Sequence, residues 1–312
     1  MKIIDFRQIE SLAVSPAECV DWVHDALLVK DKAYLPPKYS LKLDNDIFIN
    51  TMPCSIPELG IFGVKVVSRY PFNHPSLDST LLLYDLHTGE LLALMDANWI
   101  TAMRTGAVAS LAVSTLERSE ASIYSIMGLG NTARATLLCM LDSRPEKLFT
   151  LRLLRYKDQA ELFVERFSGY KNVRFEIVED PEKLVRNADV IISCITSAKG
   201  DIAPDDSFRE GVLVVPVHTR GFQNCDLFFD KVFADDTEHV RGFRYFDRFR
   251  KFAELSDVLK NKVAGRETQE ERILSYNIGI ALHDIYFAGK ILKKGSFENE
   301  VSLNKSSEKF WL

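Results

Sequence analysis

The run from Ile123 to Leu141, IYSIMGLGNTARATLLCML, most constrains how this chain can fold. A β-branched and aromatic stretch stops at Gly128, a second glycine follows at Gly130, a small residue stands at Ala133, and helix formers continue to Leu141. A strand that feeds a helix through GxGxxA has the layout of a dinucleotide cradle. Gly128 permits the tight turn, Gly130 lets a pyrophosphate approach the backbone, and Ala133 lets helix and strand pack closely. The helix N-terminus, with Asn131 and Thr132 in its first turn, faces the anion. The alternative is an ordinary tight turn, so the neighbouring pattern has to decide.

That pattern alternates. After Glu120 come strand ASIYSIMG and its helix, strand LFTLRLL, helix DQAELFVERF, strand VRFEIV, helix PEKLVRNA, and strands DVIISCI and VLVVPV. Such a rhythm predicts a parallel sheet with helices on both faces, and it favours the cradle. EERILSYNIGIALHDIYFAGKIL reads as the last long helix. Upstream, SPAECVDWVHDALL carries a capping box with Ser15 at N-cap, Pro16 at N1 and Glu18 at N3. From Asp46 to Asp96 short β-rich runs, with Thr88 and Gly89 as a hairpin signal, predict an antiparallel sheet. WITAMRTGAVASLAVSTL then reads as a helix of small residues, able to lie close to another backbone or a ligand.

Composition narrows the function. A net charge of −5 over 312 residues offers no basic field for a nucleic-acid backbone. RGFRYFDRFRKF, from Arg241, interleaves cations with aromatics, but the spacing of Phe243, Phe246, Phe249 and Phe252 points to a packed segment. No apolar run approaches the roughly 18 residues of a membrane span. Five widely spaced cysteines without CxxC argue against a disulfide framework and a thiolate zinc site, which fits a reducing cytoplasm. The histidines His24, His74, His87, His239 and His283 show no metal spacing, so no metal is expected. Nucleotide choice turns on the end of the second strand, LRLLRYKD, where Arg155 and Lys157 stand and no acid precedes Asp158. That favours NADP(H) over NAD(H), unless both cations are only solvated surface.

Taken in order, GVKVVSRYPFNHP, LLYDLHTGELLALMDANWITAMRTGAVAS and GLGNTA, with Met52 and Pro53, ADVIISCITS and YNIGIALHD, resemble the ornithine cyclodeaminase and mu-crystallin family. The resemblance covers nearly the whole chain. It implies an α/β protein whose doubly wound Rossmann domain, residues 114–289, is inserted in an α+β substrate-binding and dimerisation domain, residues 1–113 plus 290–312. It also implies a homodimer. The implied chemistry is hydride transfer between a nicotinamide and the Cα of a small amino acid, linking amine to imine.

Family matching then assigns residues. Arg104 in MRTGA corresponds to the arginine that holds the substrate carboxylate, for which a guanidinium fork is suited; the alternative is a surface ion pair. Lys65 corresponds to the lysine beside the reacting carbon, a proton donor or acceptor if its face of the sheet lines a pocket, and otherwise a strand lysine reaching to water. Lys38 falls where relatives carry a second arginine, supplying charge without the fork, and Met52 joins the substrate side. Thr105, Ile195 and Thr196 are expected at the cofactor with Gly128, Gly130, Asn131, Thr132, Ala133 and Arg155.

One departure matters for substrate. Where cyclodeaminases place an aspartate after the strand VVPV, this chain has His218, and Asn50 and Thr51 replace the acid before Met52. A second amine on the substrate loses its partners, so ornithine is disfavoured. His218 either shuttles a proton or caps the strand end. The first expectation is therefore an NAD(P)-dependent amino acid dehydrogenase or imine reductase. A cyclodeaminase and a non-catalytic nucleotide-dependent binding protein are the alternatives.

Overall fold

The computed structural model describes residues 1–195, 200–217, 227–303, 306 and 308. The chain divides into two compact units. One comprises Met1–Ala13, Lys32–Ile100 and Asp284–Leu312, and the other Val14–Asp31 and Thr101–His283.

The first unit is built on six strands: β1 (Lys2–Ile4), β2 (Tyr39–Lys42), β3 (Phe48–Ile56), β4 (Ile61–Arg69), β5 (Leu77–Asp85) and β6 (Leu91–Asp96). Their order is β1-β6-β5-β4-β3-β2. The central pairs are antiparallel, as the β-rich texture predicts, and β1 joins β6 in parallel. Helix α1 (Phe6–Ser11) is closed by an Asp5–Gln8 capping box. Alternation in β4 is strict: Ile61, Gly63, Lys65 and Val67 are buried, while Phe62, Val64, Val66 and Ser68 are not. A sheet one residue out of register would exchange the two sets, and in the observed register the Lys65 side chain lies inward.

The second unit holds eight strands, all parallel: β7 (Ile123–Met127), β8 (Phe149–Leu154), β9 (Val173–Val178), β10 (Val190–Ser193), β11 (Leu213–Pro216), β12 (Lys231–Ala234), β13 (Phe252–Glu254) and β14 (Ile273–Tyr276). The order β13-β12-β14-β11-β10-β7-β8-β9 is that of a doubly wound sheet whose direction of growth reverses between β7 and β10. The four residues of β10, β11, β12 and β14 are all buried, as strands covered on both faces must be. Helices α2 (Pro16–Leu28), α3 (Asn98–Leu116), α4 (Asn131–Ser143), α5 (Gln159–Arg166), α6 (Pro181–Val185), α7 (Thr237–Val240), α8 (Leu255–Leu259) and α9 (Ala281–Lys294) complete the chain. Two of the four unit boundaries fall inside α3 and α9.

Two sequence expectations are sharpened. The last long helix is shorter than its apolar pattern suggests: Ile273–Tyr276 form β14, which fills the sheet between β11 and β12, and α9 starts only at Ala281. A short apolar run with β-branched residues fits either element, and here the vacancy in the sheet decides. The aromatic segment packs, as its spacing indicates. Phe243, Phe246, Phe249 and Phe252 lie against the core formed by Val232, Leu274, Tyr276 and their neighbours.

A buried polar knot ties the end of α2 to the sheet of its own unit. Lys30 Nζ lies 2.8 Å from Asp236 Oδ2 and also contacts Glu254, His239 Nδ1 meets Asp236 Oδ1 at 2.7 Å, and Thr237 donates to Glu254 through backbone and hydroxyl. Burial alone would raise both carboxyls, but hydrogen bonds from His239 and the charge of Lys30 hold Asp236 well below its ordinary value, and Lys30 and Thr237 do the same for Glu254. Depressed carboxyl pKa values stabilise the fold above the unfolded value near 4, and that contribution is lost as pH falls through the folded values. Replacing Lys30 with Met should cost about 3 kcal/mol at pH 7, because it strands two buried carboxylates. In urea titrations the difference from wild type should shrink below about pH 4; an equal loss at every pH would exclude this account.

Candidate active site

The glycine turn sits where the sheet reverses. β7 ends at Met127, Gly128 has φ +79°, and a Cβ there would fall 2.6 Å from the Cys194 carbonyl carbon and the Ile195 amide nitrogen. Only hydrogen fits between these two chain segments. Gly130, the N-cap of α4, has nothing within 4 Å of the position its Cβ would take, and no side chain caps the helix. The open space above Gly130 and the uncapped amides of Asn131 and Thr132 suit an anion, while the buried Ala133 faces inward. These residues fit the pyrophosphate of a dinucleotide. Ile195 adjoins the turn through its backbone.

Arg155 follows β8, also at the carboxyl edge of the sheet. Its guanidinium is engaged by Glu161 and by Glu179 Oε1 at 3.3 Å. Lys157 has φ +54° and its ammonium lies 5.4 Å from the Tyr156 ring centre. Thr105, buried in α3, donates its hydroxyl to the Thr101 carbonyl at 2.7 Å. Helix α3 lies against α4 at Gly106, where a Cβ would be 2.4 Å from the Ala135 carbonyl carbon. The small residues of the helix therefore permit contact between two backbones.

Arg104, one turn into this small-residue stretch, is 3% exposed. A residue absent from the sequence expectations seats it. Gly279, beyond β14, has φ +82°, its N–H donates to the buried Asp235 Oδ2 at 2.7 Å, and a Cβ there would lie 2.3 Å from one terminal nitrogen of Arg104. The guanidinium nitrogen thus fills the space that a side chain at Gly279 would need, on a left-handed backbone that favours glycine. Arg104 thus lies at the carboxyl end of β14, the same edge of the parallel sheet that carries the glycine turn.

In the first unit Lys65 on β4 is opposite Met52 on β3 and Leu81 on β5. Its side chain is 0% exposed and its Nζ lies 2.7 Å from Asp284 Oδ1, itself 0% exposed. Snorkelling to water is excluded. Asp284, in the first turn of α9, is a second residue that sequence reasoning passed over, although it stands in the segment YNIGIALHD that carried the resemblance. A lone acid in an otherwise apolar helical stripe was the available signal. Burial and then the charge of Asp284 push the Cys54 thiol up to about 12. Asn50, at the position where an acid was missed, accepts a hydrogen bond from Ser40 Oγ at 2.6 Å. Lys38 is half-buried just before β2. His218 and Thr196 lie outside the described residues. Among the described residues no group of three or more His, Cys, Asp and Glu could hold a metal ion.

Residues 3–296 match the model of the ornithine cyclodeaminase/mu-crystallin family. The chain is 29% identical to the nodulation efficiency protein NfeD of Rhizobium meliloti over 82% of each chain. It is 25% identical to the alanine dehydrogenase of Archaeoglobus fulgidus over 98% of this chain and 97% of that one. Among solved structures it superposes on the Δ1-pyrroline-2-carboxylate reductase of Thermococcus litoralis, in complex with NADH and L-proline. The TM-score is 0.83 at 26% identity, over 94% of this chain and 97% of that one.

The glycines should respond unequally to a methyl group. Gly128→Ala and Gly279→Ala each combine a left-handed backbone with a clash and should lose at least about 2 kcal/mol in chemical denaturation. Gly130→Ala should stay within about 0.5 kcal/mol of wild type, since its Cβ meets open space. Equal losses at all three would refute the distinction.

Proposed function

The chain belongs to the ornithine cyclodeaminase/mu-crystallin family, and from that premise we propose that it is an NAD(P)-dependent oxidoreductase acting at the Cα–N bond of a small amino acid or its imine. The observation that carries the reading is the pairing, in one chain, of a dinucleotide cradle at Gly128–Ala133 with two buried cations, Arg104 and Lys65. A nicotinamide dinucleotide held at the cradle supplies or accepts a hydride at Cα.

The side chains do the rest. Arg104 grips the substrate carboxylate through its fork and orients Cα, with Lys38 adding charge and Met52 apolar contact. Lys65 gives a proton to the substrate nitrogen on reduction and takes one on oxidation. His218 moves a second proton or activates water. Gly128, Gly130, Asn131, Thr132 and Ala133 hold the pyrophosphate, and Thr105, Ile195 and Thr196 line the remainder of the nucleotide site. The absence of an acid at Asn50 and at His218 favours monoamine substrates over ornithine.

Nucleotide choice rests on Arg155 and Lys157. NADP(H) is bound if Arg155 exchanges Glu161 and Glu179 for the 2′-phosphate, and NAD(H) requires no exchange. The outward face of the first unit's sheet, with Phe62, Val64, Val66, Leu82 and Tyr84, and exposed Tyr39, Leu41 and Phe72 in the same unit, supports a homodimer. Buried free thiols at Cys19, Cys54 and Cys139 support a cytoplasmic setting, and among the described residues no helix is long and apolar enough to cross a membrane.

The test is a screen of Δ1-pyrroline-2-carboxylate, alanine and 2-oxo acids with ammonia, followed by nicotinamide absorbance with each nucleotide. Turnover of at least one pair is expected, and Arg104→Lys should lower kcat/KM about 100-fold, mainly by losing the bidentate contact. No turnover with any substrate sinks the enzymatic reading, and proline with ammonia from ornithine would replace it with cyclodeamination. His218→Ala with unchanged rates removes that residue from the mechanism. Light scattering should report twice the 35.5 kDa subunit mass.

A further inference from the structure

We infer that Asp284 is the positioning residue for Lys65, holding its ammonium in the one orientation from which it can pass a proton to the substrate nitrogen. The inference rests on the proposed function for its catalytic meaning, and on the geometry of the first unit for its physical basis.

A fully buried ammonium on an apolar strand face requires a counter-charge, because its cross-strand neighbours Met52 and Leu81 offer none. Asp284 provides it at 2.7 Å, fixing one of the three N–H donors of Lys65 on Oδ1 and so setting the directions of the other two. The first turn of α9 is a favourable place for that carboxylate, since the helix dipole is positive there.

Two glycines bring the helix near enough. A Cβ on Gly63 of β4 would stand 2.7 Å from Ile285 Cδ1, and one on Gly289 of α9 would stand 2.7 Å from Ile61 Cδ1. The strand and helix therefore interlock on either side of the pair through positions where a side chain is missing. A titratable group that feels Asp284 is Cys54 on β3, whose thiol, pushed up to about 12 by burial and then by Asp284, stays protonated across an assay range. Asp284 thus couples to Lys65 and leaves the thiol silent. In the reducing direction the proton leaves Lys65 Nζ for the substrate nitrogen, and the amine that remains is re-protonated beside the same carboxylate.

The experiment compares wild type with Asp284→Asn and Asp284→Glu in reduction of Δ1-pyrroline-2-carboxylate by NADH across pH. Without its counter-charge the buried amine favours the neutral form, so in Asp284→Asn the alkaline limb of kcat should move at least about one unit toward acid. The value of kcat at neutral pH should fall about 100-fold. NADH affinity, read by fluorescence, should stay within about twofold, and Asp284→Glu should restore part of the rate. An Asp284→Asn enzyme with the wild-type rate and profile overturns the inference. Unfolding of Lys65→Met, Asp284→Asn and the double variant reads the pair without any turnover. A double variant more stable than either single one supports the pairing, and additive losses overturn it. Wild type that turns over no substrate would instead defeat the functional reading, and the catalytic meaning of Asp284 with it, whatever the unfolding cycle reports.

Discussion

The structure depends on close approach at positions where a side chain is absent. Gly128 admits the segment after β10, Gly106 admits α4, and Gly279 supports the guanidinium of Arg104. In the other unit Gly63 and Gly289 let α9 lie against β4. At Gly128 and Gly106 the facing atoms are backbone, which cannot yield to a larger residue. The placement of the cradle, of Arg104 and of the Lys65–Asp284 pair is thus a consequence of packing density rather than of any single attractive bond.

Among the described residues the buried lysines are matched by carboxylates, Lys231 by Glu267 and Glu271. Lys65 has Asp284, and Lys30 has Asp236 and Glu254. Their roles differ. The Lys30 knot joins helix to sheet, and its hydrogen bonds to Thr237 and His239 are those of a structural tie. The Lys65 pair lies on an apolar sheet face with a thiol as its titratable neighbour, which is costly to maintain for stability alone. That contrast is the physical reason to propose a function for Lys65 and not for Lys30.

Placement in the family settles the architecture and directs the chemistry toward the Cα–N bond. Asn50 binds Ser40 instead of presenting a carboxylate. Arg155 is engaged by Glu161 and Glu179. Both arrangements are local.

The parallel sheet, the glycine turn and the antiparallel run before it were legible in the sequence, because alternation, small residues at turns and β-branched runs are short-range signals, whereas the inward side of Lys65 was decided by the fold. The assignment of Ile273–Tyr276 to a strand came only from the folded chain, since a four-residue apolar run takes its state from the strands beside it. The same holds for Gly279 under Arg104 and Asp284 beside Lys65, residues separated in sequence by 175 and 219 positions. Such partnerships leave no periodic trace along the chain. They exist because burial removes water as a partner and obliges distant polar groups to find one another.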